Sequence, residues 1–127
     1  MKIAIIGLGL IGGSLAKSIK RRTAHIVLGF DSNRETMISA GLLGVIDDHL
    51  TEENLAGCDL VLLAILPGDA IRWTQEHVAA ISPAAILVDM CGVKRVVCTP
   101  VSSLAKKYGF TYIGGHPMAG KERGGFT

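Results

Sequence analysis

Lys2-Ile3-Ala4-Ile5-Ile6-Gly7-Leu8-Gly9-Leu10-Ile11-Gly12-Gly13-Ser14 is the stretch that decides the fold. A short apolar run breaks into G-x-G-x-x-G and then into a helical pattern. Gly7 suits the tight turn out of the strand. Gly9 lets a pyrophosphate approach the backbone, and Gly12 lets the helix pack closely on the strand. The N–H groups and the positive dipole end of that helix are expected to hold the phosphates, with Leu8, Leu10 and Ile11 contributing from the turn. With 16 glycines in 127 residues the spacing alone is weak evidence. Its surroundings strengthen it: residues 25–31 read as a second strand closing at Asp31, about 20 residues beyond the motif, where an acceptor for a ribose 2′-hydroxyl belongs.

The bulk composition narrows the class. A chain of 127 residues holds one domain with a real core and not two full ones. A hydrophobic fraction of 49% with only 5% aromatic residues implies an aliphatic core, which suits buried parallel strands. The net charge of +2 is scattered. Lys20-Arg21-Arg22 and Lys106-Lys107 fall near predicted helix ends, where cations favour the dipole, so they do not argue for nucleic-acid binding. Cys58, Cys91 and Cys98 are odd in number and lack C-x-x-C spacing. That speaks against a disulfide framework or a metal site and suits a reducing cytoplasm. Lys2 before an apolar stretch mimics a signal peptide, but the glycine turn explains that stretch better, and no segment is long enough to span a membrane.

Strand and helix patterns alternate along the whole chain. The first strand is expected at 2–6 and its helix at 10–22. The second strand is followed by a helix over 33–40, capped by Ser32 or Asn33 and stopped by Gly41. Val45-Ile46 reads as a short third strand, and the continuous apolar run 60–65 as a fourth, buried on both faces. A helix runs from Gly68-Asp69 to about Ile81, a fifth strand over 85–88 ends at Asp89, and a helix over 94–108 is interrupted or restarted at Pro100. Residues 110–113 form a sixth strand, and 114–127 a glycine-rich tail. The succession predicts a Rossmann-type, doubly wound, mostly parallel sheet with helices on both faces and ligands at the carboxyl ends of the strands.

Asp31 favours NAD over NADP because a 2′-phosphate would meet a carboxylate. Arg34, close in sequence, is the residue that would accommodate NADP if it paired with that phosphate. Ile65 and Pro67 end the fourth strand where the cofactor riboses pass. Trp73 lies in a helical pattern and is read as packing on the sheet rather than stacking on a base. Asp89-Met90-Cys91-Gly92-Val93-Lys94 forms a second strand-end loop, with Cys91 and Lys94 able to reach the nicotinamide side. Cys91 has no sequence neighbour to depress its pKa and is read as unreactive. In the tail, paired glycines precede His116, and Pro117 stiffens the residue before it. A group titrating near neutrality at a strand end can take a proton from a hydroxyl.

Taken together, Gly7 to Ser14, Asp89 to Lys94 and above all Gly115-His116-Pro117-Met118-Ala119-Gly120-Lys121-Glu122 resemble the prephenate/arogenate dehydrogenase family of tyrosine biosynthesis, whose signature is G-H-P-x-A-G-x-E. The resemblance implies an NAD-dependent oxidative decarboxylation of prephenate to 4-hydroxyphenylpyruvate, or of arogenate to tyrosine. It makes His116 the catalytic histidine that hydrogen-bonds the ring hydroxyl, Glu122 an acidic residue near the site entrance, and Lys94 the end of the nicotinamide loop. Lys121 is expected beside them in the substrate pocket. Many family members read G-S-V-K where this chain has Cys91-Gly92-Val93-Lys94, so at Gly92 a water or another group must replace the serine contact. The family also continues into a helical C-terminal domain that dimerises and completes the substrate pocket. Residues 1–127 are therefore expected to be the cofactor domain of a longer homodimeric enzyme, inactive alone. Two other readings compete: another NAD(P)-dependent hydroxy-acid dehydrogenase, which should show a G-G-x-x-G turn and a helical lysine absent here, and a non-catalytic nucleotide-binding module.

Overall fold

The computed structural model describes residues 1–90 and 94–114, excepting the side chains of 94–98. Along the chain run β1 (Lys2–Ile6), α1 (Leu10–Arg22), β2 (Ile26–Phe30), α2 (Arg34–Leu42), β3 (Asp48–His49) and α3 (Glu52–Leu55). Then follow β4 (Leu60–Leu63), α4 (Pro67–His77), a 3₁₀ turn (Val78–Ala80), β5 (Ile86–Asp89), α5 (Lys94–Tyr108) and β6 (Thr111–Gly114). The six strands form one sheet in the order β3-β2-β1-β4-β5-β6, every pair parallel. This is the doubly wound order of a dinucleotide-binding fold, and its switch point lies between β1 and β4.

Alternation along the strands divides the core between two faces. Ile3, Ile5, Val27 and Leu62 bury against Ala16 of α1 and Met37 and Ala40 of α2. Ala4, Ile6, Leu28, Val61, Leu63 and Leu87 bury on the other face with Trp73 of α4 and Val101 and Ala105 of α5. The central strands are therefore apolar on both sides, as their unbroken aliphatic runs predict.

Several expectations need correction. Val45 and Ile46 are buried, but they do not pair; β3 starts at Asp48, beside Leu28. Apolar content marked burial under α2 rather than a ladder. Gly41 lies inside α2, and the left-handed residue that closes the bend is Gly44, at φ +69°. The cap of α2 is Asn33, whose Oδ1 accepts the Thr36 N–H at 3.0 Å. β4 ends at Leu63, and α4 already starts at Pro67, a first-turn position where a missing N–H costs nothing. Finally, α5 runs through Pro100 without a break. Val101 and Ala105 are buried on the far side of the proline, and their packing outweighs the lost hydrogen bond.

Candidate functional site

The glycine turn lies at the carboxyl edge of β1, flanked by the ends of β2 and β4. Gly7 has φ +95°, and its N–H donates to the Phe30 carbonyl at 2.7 Å. A Cβ on Gly12 would lie 1.7 Å from the Gly7 carbonyl oxygen, so only glycine allows α1 to start this close to β1. Around Gly9 nothing lies within 4 Å of a notional Cβ. The start of α1 has no side-chain cap and no acidic residue in its first turn. An uncapped positive helix end facing open space beside Gly9 suits an anionic group.

Asp31 joins this turn to the next strand. Its Oδ2 accepts the Leu8 N–H and its Oδ1 accepts the Asn33 N–H, both at 2.8 Å. One half-buried carboxylate thus fixes the phosphate turn and the entry to α2, and each oxygen keeps a lone pair for a further donor. Beside it opens a cavity of 320 Å³. One wall is Phe30, Asp31 and Ser32 at the end of β2, with Gly7 at its base; the other is Ile65 and the α4 residues Asp69, Arg72, Trp73 and Glu76. Trp73 is only 8% exposed and belongs to the sheet-packed core, as the sequence implied, while its edge also lines the cavity. A groove of 510 Å³ on the other side of the turn includes Leu8, Gly9, Leu10, Gly13 and Lys17.

The structure thus brings Gly7, Leu8, Gly9, Gly12, Asp31, Ser32 and Ile65 together at one edge of the sheet. Leu8 is buried, whereas Leu10 is 88% exposed and Ile11 is exposed beside it. Pro67 is half-buried at the start of α4. Arg34 is exposed in the first turn of α2 and lines neither the cavity nor the groove. Lys94 is the first residue of α5. Cys91, Gly92, His116, Lys121 and Glu122 lie outside the described residues. Sequence reasoning missed Asp69, Arg72 and Glu76. Their signal was the spacing i, i+3, i+7 on the helix after a strand-end proline, which puts all three on one face.

At the far side of the switch point Leu63, Asp89 and Gly114 lie in register at the carboxyl edge. Asp89 is fully buried, and the Tyr112 hydroxyl donates to its Oδ2 at 3.1 Å. A buried carboxylate with a hydroxyl partner therefore stands directly before the Cys91-to-Lys94 loop and beside the strand that leads to His116.

Residues 15–127 match the family model of the prephenate dehydrogenase nucleotide-binding domain. The chain belongs to that family. Prephenate dehydrogenase of Bacillus subtilis (strain 168) is 33% identical over 129 residues, covering 97% of this chain and 34% of that protein. Among solved structures, prephenate dehydrogenase from A. aeolicus in complex with hydroxyphenyl propionate and NAD+ superposes with a TM-score of 0.79 at 29% identity, over 96% of this chain and 43% of that one. Synechocystis arogenate dehydrogenase gives 0.80 at 33% identity, over 95% and 42%. The chain spans about a third of the length of its Bacillus relative. No helix among the described residues is long and apolar enough to cross a membrane.

Proposed function

We propose that the chain is the NAD-binding part of an enzyme that oxidatively decarboxylates prephenate or arogenate. The observation that carries the cofactor half is Asp31: its carboxylate, tied to the Leu8 N–H, stands between an uncapped helix start and the 320 Å³ cavity. In this reading the pyrophosphate lies on the turn from Gly7 to Gly12 with Leu8, Leu10 and Ile11, and Asp31 and Ser32 receive the adenosine ribose. Ile65, Pro67 and Cys91 flank the path toward the nicotinamide. NADP is the poorer ligand, and Arg34, outside the cavity, does not rescue it. Both structural relatives named above support the assignment, one of them in complex with NAD+.

NAD, when bound, supplies the hydride acceptor. His116 accepts the proton of the substrate's ring hydroxyl as the ring carboxylate leaves as CO₂ and the ring becomes aromatic. Lys94 and Lys121 offer cations for the substrate carboxylates, Glu122 stands near the entrance, and Gly92 leaves space where a water supplies the contact of the family's serine. The protein's share is orientation and electrostatics. The reading includes a cytoplasmic enzyme that dimerises through a helical domain beyond these residues, supported by relatives about three times as long.

A ligand that binds only the folded state raises its stability by RT ln(1 + [L]/Kd). Thermal melts of the 127-residue chain should therefore shift upward with NAD and less with NADP at equal concentration. No shift with either nucleotide at millimolar concentration would overturn the cofactor assignment.

A further inference from the structure

The wall of the cavity formed by α4 carries charges that the nucleotide fingerprint does not account for. Asp69, Arg72 and Glu76 lie on one face of α4, opposite Asp31 and Ser32. Among the described residues, the charged members of the lining are three carboxylates (Asp31, Asp69, Glu76) against one guanidinium (Arg72). That guanidinium is already engaged: Arg72 Nη1 donates to Asp69 Oδ1 at 3.0 Å, with the two side chains 66% and 51% exposed. Among the described residues, the cavity's one cation thus faces a carboxylate of its own helix.

We infer that Asp69 and Glu76 are specificity-determining residues that set this cavity against a 2′-phosphate, Asp69 by holding Arg72 and Glu76 by its own charge. The inference rests on the reading that the cavity takes the adenosine half of a dinucleotide. Arginine is the side chain best suited to pair with a phosphate in a forked, charge-assisted contact. Released from Asp69, Arg72 would supply that contact. Held by Asp69, it offers little, and Glu76, one turn further along α4, adds repulsion. Discrimination against NADP is then shared across the cavity and does not rest on Asp31 alone. Each carboxylate faces solvent, so its effect is moderate. One unit charge about 8 Å from a phosphate in a water-open cleft changes affinity by about three- to tenfold.

The test compares NADP and NAD dissociation constants, by calorimetry, for the unmodified chain and for Asp69→Asn/Glu76→Gln. The ratio of NADP to NAD affinity should rise about tenfold or more in the double variant. Adding Arg72→Gln should remove much of that gain. A double variant that binds NAD with its affinity ratio unchanged overturns the inference, as does a gain that survives loss of Arg72 in full. A second measurement needs no variant. On the unmodified chain, raising salt from about 20 mM to about 300 mM should improve NADP binding relative to NAD by screening repulsion. A relative loss would mean that Arg72 already pairs with the 2′-phosphate, contrary to the inference. A chain that binds neither nucleotide fails differently, because it removes the cofactor reading itself.

Discussion

Two glycines in one motif answer to different constraints, and substitution separates them. A Cβ on Gly12 would drive into the Gly7 carbonyl, a backbone atom that cannot rotate away. Gly12→Ala should therefore cost stability near the upper end of the roughly 1–3 kcal/mol of overpacking, seen in denaturant melts. Gly9 meets nothing within 4 Å, so a methyl there has room, although its ψ of −150° lies outside the regions that alanine favours. Gly9→Ala should cost less stability than Gly12→Ala yet bind NAD about ten- to a hundredfold more weakly, the worth of one charge-assisted contact kept away from the phosphate. Normal NAD affinity in Gly9→Ala would mean that the pyrophosphate does not cross this turn. Asp31 holds the turn and, in the proposed reading, the ribose, so charge and hydrogen bonding must be separated: Asp31→Asn keeps an acceptor but loses the charge, and the gap between NAD and NADP affinity should narrow. In the proposed reading His116 belongs to the chemistry. In the longer protein His116→Ala should lower kcat by about 10²–10⁴-fold while NAD affinity is retained; near-normal kcat would remove it from the mechanism.

At the scale of elements, one ion pair holds the joint between α1, β2 and the run into β3. Asp47 accepts from Lys20 Nζ at 2.8 Å and from the Val27 N–H at 2.7 Å. Burial alone would raise the Asp47 carboxyl, but the Lys20 ammonium and the Val27 N–H prevail and hold it below its ordinary value. A carboxyl lowered by folding stabilises the fold above its unfolded pKa, and the contribution is lost as pH falls through the lower folded value. Asp47→Asn should cost about 1 kcal/mol at neutral pH, discounted for partial exposure, and should flatten the loss of stability below about pH 4. An unchanged acid limb would show that the pair contributes nothing. This joint was invisible in the sequence, because Lys20 and Asp47 meet only once β2 and the segment before β3 lie side by side. The same lack of long-range information explains Val45-Ile46, where apolar residues mark burial without pairing, and Pro100, where packing of Val101 overrides a local break signal. The strands β1, β2, β4, β5 and β6 were legible to within a residue or two, since an aliphatic run ending in glycine, aspartate or proline carries its own boundary.

At the scale of the whole molecule, the alternation of strands and helices was enough to predict a doubly wound sheet and the carboxyl edge where Gly7, Asp31 and Ile65 gather, though not the strand order. The charged wall of α4 was not legible, because its residues declare themselves only when the helix is set across from β2. The histidine block is the reverse case, read from sequence and family membership. Lys121, the cation next to it in sequence, is flanked by glycine-rich sequence, and small misplacements of such a group cost roughly 10²-fold in rate. The 127-residue chain by itself should therefore yield negligible NADH from prephenate or arogenate, followed by absorbance at high protein concentration. Turnover of about 1 s⁻¹ or more, within the ordinary enzyme range, would mean that these residues suffice for the reaction. The central claim, that this sheet edge is an NAD site with Asp31 at the adenosine ribose, is tested most directly by calorimetric titration of the unmodified chain with NAD and NADP in the same buffer. The expected result is a single site that binds NAD more tightly than NADP. Absence of NAD binding, or tighter binding of NADP, would contradict it.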